Sequence, residues 1–104
     1  MMGNKILCLT IRMRKNDTVD GKRTHLVILE LLKKFQISGA TVWTGIGGYG
    51  KHGKSDLQIE GITVNMPLII EAIDSESKIV SVLPEIKKIV NGNGLMTTYE
   101  VDSF

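Results

Sequence analysis

Gly48-Tyr49-Gly50-Lys51-His52-Gly53-Lys54-Ser55 matches G-x-x-x-x-G-K-[ST]. At that spacing backbone amides cradle phosphates while a lysine and a hydroxyl serve the γ-phosphate and magnesium. Overlapping it, Gly45-Ile46-Gly47-Gly48-Tyr49-Gly50 fits G-x-G-x-x-G, and Asp74 stands where a dinucleotide fold carries its ribose acid. Five of the 11 glycines fall between Gly45 and Gly53, so both matches draw on one cluster and are not independent. Each chemistry needs a helix that begins at the glycines. After Ser55 come Asp56, an alternating Leu57-Gln58-Ile59-Glu60 and then Gly61, a sequence that interrupts a helix. A small nucleotide hydrolase using Gly48 to Ser55 is therefore the alternative reading, and a flexible loop is the plain one.

Other reactive residues are sparse. Cys8 lies inside an apolar alternation without an activating pattern and reads as a buried small residue; a single cysteine also excludes an internal disulfide. His25 falls on an apolar helix stripe and reads as a packed or partly buried histidine, whereas His52 sits in the glycine segment within reach of a phosphate or a partner. Neither has a second ligand at metal spacing, so no metal site is expected. No serine has a base at motif spacing, and no catalytic constellation emerges. Arg12, Arg14 and Lys15 form a basic rim at the end of the first strand.

These residues must be positioned by a small domain. The chain has 104 residues, two prolines and a formal net charge of +2, which fits a single domain spanning 1–104. It has no apolar run of membrane-spanning length and no secretory pattern at Met1 to Lys5, so a cytoplasmic location is expected. Charge is uneven: ten Lys/Arg against three Asp/Glu through Lys54, then three against eight, or about +7 and −5. Such a split points to an anionic ligand or to complementary surfaces between copies rather than to a nucleic-acid coat.

Leu7, Leu9, Ile11 and Met13 alternate as a half-buried first strand over Lys5 to Met13. A polar, turn-rich link follows to Lys22. His25, Ile28, Leu29, Leu32 and Phe35 make one stripe of a helix from Thr24 to Gln36. Ala40 to Thr44 is a second strand that runs into the glycine cluster, and 45–65 reads as a long, partly extended excursion of the kind that tends to carry function. A third strand over Met66 to Asp74 leads into a helix to Val90, N-capped within Asp74-Ser75-Glu76 and kinked or restarted at Pro84. Asn91 to Gly94 ends it, and Leu95 to Val101 closes as a fourth strand. The order βαββαβ predicts an α+β, ferredoxin-like antiparallel sheet with both helices on one face. Ile6, Cys8 and Thr10, with Ile69, Glu71 and Ile73, predict an open face apolar enough for self-association. Trp43 and Tyr99 are the only strand aromatics, too few for the paired stacking of RNA-binding sheets, so no nucleic-acid partner is expected.

Gly39-Ala40-Thr41-Val42, Gly48-Tyr49-Gly50-Lys51 at the mouth of a long loop, Leu83-Pro84 inside the second helix and Gly92-Asn93-Gly94 resemble the nitrogen-regulatory PII proteins. The similarity is closer to an uncharacterised PII-like family of short bacterial and archaeal proteins, and covers residues 4 to 101. The resemblance implies a homotrimer with a small-molecule effector, an adenine nucleotide among the candidates, bound in clefts between subunits. It implies no other cofactor. Carried over by position, Thr41 contacts the adenine region. Gly48, Tyr49, Gly50 and Lys51 form the base of the 45–65 loop, and Gly92 and Gly94 lie on the phosphate side; Arg12 on the basic rim joins the ligand-binding set. The loop would act on an unidentified protein partner, a membrane transporter being one candidate. Three departures bear on this. One extra residue separates Thr41 from Gly48, which predicts a register shift or a bulge near Gly45; Leu95 replaces a phosphate-binding lysine and the last strand has no arginine; and the loop lacks the modifiable tyrosine. With two phosphate contacts missing, a triphosphate fits less well than a monophosphate or an unrelated metabolite. A purely structural assembly module is the third class.

Overall fold

In the computed structural model, which describes residues 5–50, 53–56 (backbone only) and 65–104, the period-two alternation of the first strand becomes β1, Ile6–Arg14. A two-residue pair, β2 (Thr18–Val19) and β3 (Lys22–Arg23), closes around Asp20 and Gly21, both at positive φ as a type I′ hairpin requires. Then come α1 (Thr24–Lys34), β4 (Ala40–Thr44), β5 (Gly47–Gly50), β6 (Gly53–Asp56), β7 (Pro67–Ser75), α2 (Glu76–Val90) and β8 (Leu95–Glu100).

The main sheet runs β4-β7-β1-β8, every neighbour antiparallel, which is the ferredoxin-like order. Its inner face carries Leu7, Leu9, Ile11 and Met13 from β1 and Leu68, Ile70 and Ala72 from β7. Against them pack Ile28 and Leu32 of α1 and Ile79, Val82, Ile86 and Val90 of α2, so both helices cover one face and form one core. Leu9, Ile11, Ile28, Ile70, Ile79, Val82 and Ile86 are wholly buried. At about 25 cal/mol per Å² of apolar surface, burial of such side chains is the main force holding the layers together.

The helix ends differ from simple expectation. α1 closes on Gln36, held at φ 61, with the Ile37 amide donating to the Leu32 carbonyl and that of Gln36 to Lys33; buried Ile37 completes this Schellman closure. Ser75 caps α2 by backbone position but makes no side-chain cap bond; the Asp74 carboxylate accepts the Ser75 amide instead, at 2.7 Å. Pro84 neither ends nor restarts α2, which runs unbroken to Val90. The bulge expected near Gly45 is absent from β4: pairing with β7 continues through Thr44 opposite Leu68, and the Gly45 amide donates to the Pro67 carbonyl at 2.8 Å.

Candidate functional site

Thr41 lies on edge strand β4, opposite Glu71, with its side chain on the sheet face away from the helices. From Gly45 the chain leaves the sheet and β5 pairs with β6, Gly47 opposite Asp56 through Gly50 opposite Gly53. This hairpin carries Gly48, Tyr49 and Gly50; Tyr49 is 90% exposed, and Ile46 just before β5 is 92% exposed. The base is pinned by hydrogen bonds. Besides the Gly45 bond, the Asn16 amide donates to Asn65 Oδ1 and the Lys15 amide to the Met66 carbonyl, each at 2.8 Å. The turn at Asn16 is itself held, the Arg14 amide donating to Asp17 Oδ2 and Arg23 Nη1 to Asn16 Oδ1. Lys51 and His52 lie outside the described residues. The 45–65 segment thus contains the expected extended structure, as a glycine-rich hairpin.

Lys54 and Ser55 fall within strand β6, where a phosphate loop requires the first turn of a helix. The hydrolase alternative loses its geometry there. Asp74 is lost to the dinucleotide reading for another reason. Its oxygens accept the amides of Ser38, at 2.8 Å, and Ser75, and the Lys78 ammonium lies 3.7 Å away. Burial alone would raise this carboxyl, but the two amides, Lys78 and the Ser38 hydroxyl outweigh it and hold the pKa below the usual range. Asp74 ties the α1–β4 connection to the start of α2.

At the other edge of the sheet, α2 ends with Asn91 at φ 45 and Gly92 at φ 80, two left-handed residues in succession. Gly94 then passes so close to β1 that a Cβ there would lie 2.6 Å from the Arg12 carbonyl oxygen and 3.0 Å from Val90 Cγ1. Arg12 pairs with Leu95 and Ile69, which places its side chain on the open face. An open groove of about 670 Å³ runs beside this turn, lined by Leu83, Pro84, Lys87, Val90, Gly92, Gly94 and Met96. Helix carbonyls give this end of α2 partial negative charge, and Lys87 and Lys88 in its last turn offset it. Lys87 and Met96 were missed by sequence reasoning; a lysine in the basic last turn just before a double-glycine turn was the available signal.

The fold therefore brings Arg12, Gly92 and Gly94 together but leaves Thr41 and the hairpin at the opposite edge. Two strands intervene between β4 and β8, so about 14 Å separates these edges. Among the described residues no group of three or more His, Cys, Asp or Glu is placed to hold a metal, and no helix is long and apolar enough to cross a membrane. His25 is half-buried, with its Nδ1 buried and unpartnered; burial, then Arg23 and Lys15, lower its pKa. Cys8 is buried, as expected.

Among solved structures, CPII, a nitrogen regulatory PII-like protein from Thiomonas intermedia K12 bound to ADP, AMP and bicarbonate, superposes with a TM-score of 0.74 at 15% identity. That match covers 93% of this chain and 86% of CPII. The divalent ion tolerance protein CutA1 from Ehrlichia chaffeensis matches at 0.64 and 14% identity, over 97% of this chain and 85% of CutA1. At these identities the likeness is one of fold. Sequence relatives are nearer. A UPF0166 protein of Methanocaldococcus jannaschii is 40% identical over 92 residues, covering 88% of this chain and 85% of the relative. One of Aquifex aeolicus is 34% identical over 95 residues, covering 90% and 89%. The family model described as "Uncharacterized ACR, COG1993" (DUF190) matches residues 6–103, and with the PII-like sheet order and the glycine turns at both sheet edges, the chain belongs to the DUF190 family.

Proposed function

We propose that this protein is a cytoplasmic PII-like regulator, a homotrimer that binds a small effector between subunits and signals to a protein partner through the 45–65 segment. One observation carries the reading. The described residues expected to bind the effector are divided between the two edges of one sheet, about 14 Å apart, and copies set edge to edge would bring the two sets together around one small ligand. Thr41, Gly48, Tyr49, Gly50 and Lys51 would come from one copy, and Gly92 and Gly94, with Arg12 beside them, from the next. The hairpin fits a partner-contacting role, since isolated two-stranded hairpins are marginal in water and this one presents Ile46 and Tyr49 unburied.

The nucleotides bound to CPII nominate the effector class, and this chain's own residues narrow it. Leu95 and an arginine-free β8 supply no cation for a γ-phosphate, whereas Lys87 stands in the groove beside Gly92 and Gly94. AMP or ADP is thus favoured over ATP. Native mass spectrometry and titration calorimetry test this together. Three copies per particle and heat on adding AMP or ADP are expected, with ATP binding more weakly. A monomer in solution, or no heat with any adenine nucleotide at millimolar concentration, refutes the reading.

A further inference from the structure

The sheet face away from the helices has a pattern that the register makes explicit. Trp43, Ile69, Arg12 and Leu95 form one row across the four strands; Thr41, Glu71, Thr10 and Thr97 form the next; Ile73, Cys8 and Tyr99 form a third. Trp43, Ile73, Leu95 and Tyr99 are four of the nine large apolar side chains left exposed among the described residues, and they flank the polar middle row on both sides. Arg12 and Glu71 are the only charged residues in the three rows, one of each sign. They sit on a diagonal of adjacent strands, yet among the described residues neither forms an ion pair within the chain.

A surface that covers this face must meet both charges, because a desolvated carboxylate or guanidinium without a partner is strongly destabilising. A second copy of the same face carries both complements. We propose that copies of this chain dock through this face with Arg12 of one copy paired to Glu71 of the next, and that this pair fixes the docking register. The inference rests on the assembly reading above. Like-charge contacts penalise a slipped register, while the apolar rows provide the attraction.

Charge reversal tests the pair. Particle mass is measured without nucleotide for the wild-type chain, Arg12→Glu, Glu71→Arg and the double reversal, with circular dichroism confirming the fold. Each single reversal is expected to weaken assembly at least 100-fold, and the double reversal to restore it to within tenfold of wild type. Single reversals that assemble like wild type, or a double reversal no better than the singles, overturn the pairing. Should a reversal fail to fold, Arg12→Gln and Glu71→Gln take its place: each must weaken assembly at least tenfold, and unchanged assembly overturns the proposal. A monomeric wild-type protein defeats the underlying assembly reading instead, so the two failures are distinct.

Discussion

Gly94→Ala is the sharpest test of the packing that builds the turn after α2. The added methyl would sit 2.6 Å from the carbonyl oxygen of Arg12 and 3.0 Å from Val90 Cγ1. The first obstacle is backbone of the central strand, hydrogen-bonded on both sides to β7 and β8, so it cannot swing away as a side-chain tip would. Relief requires the 92–94 turn to lift off β1 or β8 to slide, and overpacking of this sort costs about 1–3 kcal/mol, with a rigid backbone neighbour placing it at the upper end. In a domain of this length about 3 kcal/mol corresponds to a fall in Tm of roughly 12–20 °C. Urea unfolding at one fixed protein concentration measures it, with the midpoint expected to fall and the slope to stay constant. Gly50→Ala is the control, since a Cβ there meets nothing within 4 Å. If Gly94→Ala loses less than about 1 kcal/mol, or no more than Gly50→Ala, the close approach of the turn to β1 is wrong.

Asp74→Ala removes the acceptor of two amides and a lysine contact, and is expected to cost about 1–3 kcal/mol. Because the folded pKa of Asp74 is lowered, its contribution is present above the unfolded value near 3.8 and fades as pH falls through the lower folded one. Acid titration of stability should therefore be shallower in the variant. His25 has the opposite proton balance: its folded pKa lies below 6.5, so protonation favours the unfolded chain and stability declines as pH drops below that value. His25→Leu should flatten the decline in urea midpoints between about pH 7 and pH 5. With Lys54 in a strand, Lys54→Ala should leave magnesium-dependent nucleotide turnover unchanged from wild type; a turnover that disappears with Lys54 would reinstate the hydrolase.

β4 was legible to the residue because Ala40 to Thr44 is β-branched and aromatic, and β1, β7 and α2 were legible within a residue or two because their apolar periods are strong. The β5–β6 hairpin was not specified as such, since Gly47-Gly48-Tyr49-Gly50 offers a single side chain and no alternation to read. Its turn residues say only that the chain bends. β2 and β3 are too short for periodicity, though Asp20-Gly21 carried the hairpin signal. The division of the candidate site is set by strand order: Thr41 and Gly48 are near neighbours in sequence, but whether Gly92 joins them depends on which strands end as edges. That is decided by long-range pairing, with β7 and β1 inserted between β4 and β8.

Strand order also gives the split of charge a location. β1 enters at Ile6 beside Ser75 and Glu100 and leaves at Arg14 beside Pro67 and the start of β8, so the two ends of the sheet collect different residues. Glu76, Asp74, Glu100 and Asp102 gather at the first end, where Lys5 pairs with Glu100 and Lys78 with Asp74, and Lys33 and Lys34 close α1 nearby. That end is largely neutralised within the chain. Arg12, Arg14, Lys15, Arg23, Lys87 and Lys88 gather at the second, with Asp17, Asp20 and Glu85 as nearby acids, Arg14 beside Asp17 and Lys88 beside Glu85. The surplus positive charge therefore lies at the end of the sheet that carries the Gly92–Gly94 turn and the Lys87 groove at one edge and the base of the 45–65 segment at the other. A field of that sign raises the local concentration of anions before any contact forms. The asymmetry of the sequence and the placement of its glycines describe the same end of the molecule, and an anionic effector is the ligand that both favour.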